Sequence, residues 1–290
     1  MNKNRILLLA ALAMSLVACT KDEPKSEEEQ QPETVDVTFE VRPDGWTITR
    51  EPIRTRGLDA DGKAMTDIWV LDYIGTELQQ QVHQSSTDDD FGKPTMNLSV
   101  GNHSIYFVAS RGQNPTLDTD TKTLSFTKVL DTFYRALSLN VSATTNGSQS
   151  VDLDRCVTKF KVAFTDAIPT TAATFNVTPA SWYYSIDYTT GLPTAATSSQ
   201  AITVSIPAAS LGKTNESVNV FGFSGAEEWT TDVSINCKDG EGNILGAATI
   251  SSAKFKRNRV SAYSGPLFSS NGAMTLSLNT EWDTELTGTW

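Results

Sequence analysis

Cysteine, histidine and charge are scarce in this chain of 290 residues, which has three Cys, two His and 20% charged residues. With only His83 and His103 on hand, and no cysteine spacing that suggests zinc, no metal site is expected. Catalytic signatures are missing too. There is no Gly-x-Ser-x-Gly, no His-Glu-x-x-His and no phosphate-cradling glycine loop. Asp and Glu are plentiful, but no local spacing singles out a carboxylate dyad. The expectation is a protein that is not an enzyme and that holds no cofactor. Long helical periodicity is nearly absent. The one extended apolar run, Ile6 to Val17, is too short to span a bilayer as a helix.

That run follows Lys3 and Arg5 and closes on Leu16-Val17-Ala18-Cys19, the pattern of an export signal ending in a bacterial lipobox. Cleavage is expected between Ala18 and Cys19, with a lipid (diacylglycerol and acyl chains of the palmitate type) on the Cys19 thiol. The alternative is an ordinary secretory signal that happens to end in Cys. Thr20-Lys21-Asp22-Glu23 is similar to the Lys-acidic-acidic tag of Bacteroidetes lipoproteins displayed on the outer face of the outer membrane. From Lys21 to Thr34 no large apolar residue occurs, so this stretch cannot bury enough surface to order itself. Residues 1–18 therefore read as a signal peptide and 19–34 as a lipidated, flexible tether.

The net charge is -11, and loss of residues 1–18 removes Lys3 and Arg5 and no anion, giving -13. A chain this acidic is repelled by nucleic acid and by anionic membrane surfaces, so the lipid on Cys19 must supply membrane attachment. Cys156 and Cys237 both fall at inward-looking positions of apparent strands. They are either buried free thiols or a disulfide.

Period-two alternation dominates the rest. Val35, Val37, Phe39 and Val41 alternate with polar residues. Asp67 to Tyr73 reads as a buried strand that turns at Gly75 into Glu77 to His83. Thr95 to Val100 and His103 to Ala109 read as a hairpin turning at Gly101-Asn102, and Leu137, Leu139 and Val141 give a further strand. Lys128 to Tyr134 is the exception, with an apolar spacing that suits one or two helical turns. After Asn146-Gly147 a second series runs Val151 to Phe164, Thr174 to Thr178, Trp182 to Tyr188, Ala201 to Ile206, Ser217 to Phe223, Thr230 to Cys237, Ile244 to Phe255 and Ala273 to Thr280. Each half holds about seven short strands with turn signals every 8–12 residues, the pattern of a β-sandwich. The expected organisation is all-β, with two tandem sandwiches over residues 35–150 and 151–290.

Three acidic runs, Asp59 to Gly62, Asp88 to Asp90 and Asp239 to Asn243, have enough oxygen ligands for calcium, but read more simply as strand-connecting turns. Trp182, Tyr184, Ile186 and Tyr188 share one face of a strand. On an exposed sheet such a stripe stacks on sugar rings; alternating with smaller polar residues, it reads first as core.

Asp131-Thr132-Phe133-Tyr134, a strand, and then Val151-Asp152-Leu153-Asp154-Arg155-Cys156-Val157-Thr158-Lys159-Phe160-Lys161-Val162 resemble a passage of the Bacteroidetes fimbrillin-type (type V pilus) lipoproteins. The pattern there is Asp-x-Phe-Tyr, a spacer, and apolar-x-Arg-x-Val-x-Lys-apolar-x-Val, and the likeness is to the anchor and accessory subunits especially. Phe255 to Val260, Tyr263 to Phe268 and Leu278 to Asp283 resemble that family's late segments. The resemblance implies two transthyretin-like, Greek-key sandwiches and a fimbrial or accessory role in cell adhesion. It implies assembly with other fimbrial subunits by β-strand donation, and a host or bacterial surface ligand as a further partner. It also implies a location at the cell outer membrane and in the fimbrium. Some members are trimmed after an Arg near the first strand, and Arg50, Arg54 and Arg56 are the candidates here; the plainer reading is a solvated basic loop. The rival function is a carbohydrate-binding outer-membrane lipoprotein of a glycan-uptake system.

Overall fold

The computed structural model describes residues 33–43, 65–145, 147–198, 200–269 and 275–279. In the first part run β1 (Thr34–Pro43), β2 (Asp67–Ile74), β3 (Glu77–Ser85), β4 (Thr95–Ser99), β5 (Gly101–Ser110), β6 (Thr116–Asp118), β7 (Thr123–Ser125), β8 (Thr132–Val141) and β9 (Ser148–Arg155). Strands β9-β1-β4 form one layer and β3-β2-β5-β8 the other, bridged where Phe133 and Tyr134 of β8 meet Arg155 and Asp154 of β9. Between the layers lies a core that includes Val37, Phe39, Met96, Leu98, Ile105, Phe107 and Leu153.

β2 is buried along nearly its whole length because it has a core on each side. Ile68 and Val70 face the first core, while Trp69, Leu71 and Tyr73 join a second one. A side chain pointing to alternate faces then gives a continuous apolar run rather than an alternating one.

The second part comprises β10 (Val157–Phe164), β11 (Ala172–Pro179), β12 (Ser181–Trp182), β13 (Ser185–Asp187), β14 (Leu192–Pro193), β15 (Thr197–Ser198), β16 (Ile202–Ser205), β17 (Glu216–Phe223), β18 (Trp229–Asp239), β19 (Ile244–Phe255), β20 (Val260–Gly265) and β21 (Thr275–Asn279). Its main layers are β17-β10-β20-β21 and β16-β11-β18-β19. The pairing scheme of the first part recurs here. β1 lies antiparallel to β4 and parallel to β9, as β10 does to β17 and β20. The β3-β2-β5-β8 order is matched by β16-β11-β18-β19, all antiparallel. An internal repeat that is invisible in the residues is therefore plain in the strand pairing. The two parts also share a small sheet, β14-β13-β7-β6, in which Ile186 pairs with Leu124.

All-β architecture holds: among the described residues the one helical element is a 3-10 turn, Ala208–Ser210, and no helix is long and apolar enough to cross a membrane. Three local expectations do not hold. Lys128 to Tyr134 forms no α-helix; an isolated bridge at Lys128 is followed by β8, whose first residues Thr132 and Phe133 are buried by the strand ladder to β5. β4 and β5 form no hairpin, because β4 pairs with β1 and β5 with β2 and β8. The chain changes layer at Gly101, whose φ of 147° is a conformation that favours glycine. The single strand expected over Val151 to Phe164 is two, broken at Cys156, with β9 in the first pair of layers and β10 in the second.

Candidate functional site

β1 is held on both sides and from beneath. Val35 and Val37 pair with Leu98 and Met96 of β4, and Val41 and Pro43 with Val151 and Leu153 of β9. Val37, Phe39 and Val41 point into the core, and the Phe39 ring meets Phe107 edge-on at 5.2 Å. Each such side chain is worth about 1.5–3 kcal/mol of burial, so the strand contributes several kcal/mol in all. The polar side is laced more lightly, by Thr38 to Thr95 (2.8 Å between hydroxyls) and Asn97 Nδ2 donating to Asp36 Oδ1 (2.7 Å). Ala18, Cys19, Arg50, Arg54, Arg56, Asp59 to Gly62 and Trp282 lie outside the described residues.

The residues that carried the family resemblance converge. Arg155, at the end of β9, donates from Nε to Asp131 Oδ1 (2.6 Å) and from Nη2 to Asp131 Oδ2 (2.9 Å). Its Nη1 donates to Asn258 Oδ1 at 3.3 Å, and its guanidinium lies 4.9 Å from the centre of the Phe133 ring. Next to this knot, Phe133, Asp154, Arg155, Ala226, Glu227, Lys256, Arg257 and Asn258 line a cleft of about 450 Å³ where the β17–β18 and β19–β20 connections approach the ends of β8 and β9. In the sequence Arg257 and Asn258 stood out only within Phe255 to Val260, one of the segments that carried the family resemblance. That they meet Arg155 a hundred positions away was not legible, since no local spacing encodes it.

Cys156 and Cys237 are free and buried. Desolvation pushes the Cys156 thiol up to about 12 and that of Cys237 to about 11. The aromatic stripe is core: Trp182, Ile186 and Tyr188 have no exposed surface, and Tyr184 is 9% exposed. It offers no platform for a sugar. Asp239 to Asn243 is a turn in which Asp239 Oδ1 accepts from the backbone N–H of Glu241 (2.9 Å) and Asn243 (2.8 Å). Asp88 likewise accepts from Ser85 N at 2.7 Å.

No curated protein matches the chain. Among solved structures it is similar to a protein from Bacteroides ovatus provisionally named a cell adhesion protein (12% identity, 87% of this chain and 99% of that one, TM-score 0.50). It is similar to one so named from Bacteroides uniformis (10% identity, 86% and 99%, TM-score 0.50). The tip fimbrial protein Mfa3 from Porphyromonas gingivalis also matches (13% identity, 86% and 100%, TM-score 0.46). At such identities the first two likenesses are of fold. The family of unknown function DUF6562 matches residues 104–289, more than half of the sequence, and the chain belongs to that family.

Proposed function

We propose that this chain is a surface lipoprotein that acts as a fimbrial subunit, or as an accessory or anchor protein, in cell adhesion, with no enzymatic activity. It comprises two tandem transthyretin-like sandwiches that follow a signal peptide and a tether lipidated at Cys19. The reading is supported by the recurrence of one strand-pairing scheme in both halves. The names of the similar structures from B. ovatus and B. uniformis agree with an adhesive role.

The observation that carries strand exchange is the position of β1. It is the first described strand, yet it lies inside a layer with a partner on each side. Removing it opens two ladders and an apolar slot at once, an edge that must be refilled or will aggregate. Its twin β10 is in the same position but continues directly from β9, so of these two strands β1 is the one that a cut after it can release. Cleavage at Arg50, Arg54 or Arg56 releases it for a donor strand from a neighbouring subunit.

Limited trypsin treatment followed by size-exclusion chromatography tests this. The expected result is cleavage at Arg50, Arg54 or Arg56 and the appearance of concentration-dependent, SDS-resistant polymers. A trimmed protein that stays monomeric and equally heat-stable removes strand exchange and leaves an adhesin or anchor. For the lipid, Cys19→Ala is expected to leave the membrane fraction, and retention at the wild-type level overturns the anchor.

A further inference from the structure

The cleft beside Arg155 has a charge pattern that structural packing does not consume. Six of its eight lining residues are charged or amide, and the only apolar ones are Phe133 and Ala226. Arg155 is matched by Asp131, and Asp154 by Arg135 at 3.1 Å. Arg257 is half-buried, and its two hydrogen bonds go to neutral carbonyls, Nε to Ser224 O (2.9 Å) and Nη2 to Gly191 O. Among the described residues no carboxylate lies within ion-pair distance of Arg257 or Lys256. A half-buried guanidinium whose hydrogen bonds go to carbonyl dipoles rather than to a carboxylate favours an anion.

The chain as a whole carries a net charge of -11, so a cluster of unmatched cations in a concave site stands out from its surroundings. Beside the cations sit Glu227, also without a cation partner among the described residues, and the Asn258 amide. Cations next to hydrogen-bonding carboxylate and amide groups suit a ligand with one negative group and several hydroxyls. Its volume is within the range of small-ligand sites, about 300–1,000 Å³.

We propose that this cleft binds a carboxylate-bearing sugar, the carboxylate seated on Arg257 and Lys256 and ring hydroxyls on Glu227. This assigns a ligand class to the adhesion reading but does not depend on strand exchange, because no lining residue belongs to β1 and binding needs no trimming.

Native affinity electrophoresis of the untrimmed protein in gels containing polygalacturonate, dextran or dextran sulfate is the test. The expected result is retardation by polygalacturonate and none by dextran. Lys256→Glu, at an exposed position, is expected to weaken retention about fivefold or more. Glu227→Ala separates a built site from plain charge attraction. It weakens binding if Glu227 holds hydroxyls and strengthens it if the cleft is only a cationic patch. Absence of retardation, equal retention by dextran sulfate, or tighter binding by Glu227→Ala overturns the proposal. Since strand exchange is read as polymer size and this site as gel retention, either can fail without the other.

Discussion

Arg155 and Asp131 form a two-point ion pair, Nε to Oδ1 and Nη2 to Oδ2, with side-chain exposures of 18% and 7%. It joins the end of β9 to the segment before β8, and through Asn258 reaches the β19–β20 turn of the second part. The pair thus acts as a fastener between the halves.

Breaking one side of such a pair leaves a largely buried charge. Asp131→Ala is expected to lower unfolding free energy by about 2–4 kcal/mol, measured by urea denaturation. Arg155→Lys should not restore it, since an ammonium cannot make the parallel two-point contact. A loss below about 0.5 kcal/mol for Asp131→Ala would mean that the pair is no more than a surface contact.

A second fastening is steric. Trp182 lies across Gly222 of β17, where an added Cβ would come within 2.5 Å of the indole, and its Nε1 donates to Phe221 O at 3.0 Å. Gly222→Ala is expected to cost about 1–3 kcal/mol by overpacking and to shift the tryptophan emission to the red. Unchanged emission and an unchanged urea midpoint would show that the ring has room to move.

Alternation told which side chains face inward but not which strand lies next door. Val37, Phe39 and Val41 were legible as one buried face, whereas the β4–β5 hairpin was misread because both strands alternate correctly while belonging to opposite layers. Cys156 hides a layer change because it is buried like the residues around it, with its Sγ donating to Thr132 O at 3.3 Å. Lys128 to Tyr134 has helical spacing, but the long-range ladder of β8 to β5 outweighs local preference. The cleft was illegible for the same reason: Phe133, Arg155, Glu227 and Lys256 come from four distant segments, and only pairing brings them together.

Both described thiols should be inert in the native state. Burial raises Cys156 to about 12 and Cys237 to about 11, so the thiolate is scarce at neutral pH and shielded as well. Ellman's reagent is expected to react with them only after denaturation, and reducing and non-reducing gels should show the same mobility. Fast native reaction, or a mobility change on reduction, would contradict the packing of either residue.

Acid sensitivity should trace in part to Asp166. Desolvation works upward on its carboxyl but is outweighed by the backbone N–H groups of Leu267, Phe268 and Ser269, which hold it below its ordinary value of 3.8. The bonds to Phe268 N (2.7 Å) and Ser269 N (3.0 Å) tie the segment after β20 to the end of β10. A carboxyl whose folded pKa is depressed stabilises the fold above its unfolded pKa and loses that contribution as pH falls through the folded one. Asp72 works in the opposite sense, since burial raises it despite the facing His103, so the whole-protein pH profile mixes the two. The difference between wild type and Asp166→Asn isolates the first effect. The variant is expected to be less stable at pH 7, with the gap closing as the pH drops below 3.8, measured as thermal midpoints across the acid range. A gap that stays constant down to strong acid would show that the carboxylate's charge does not hold this segment in place.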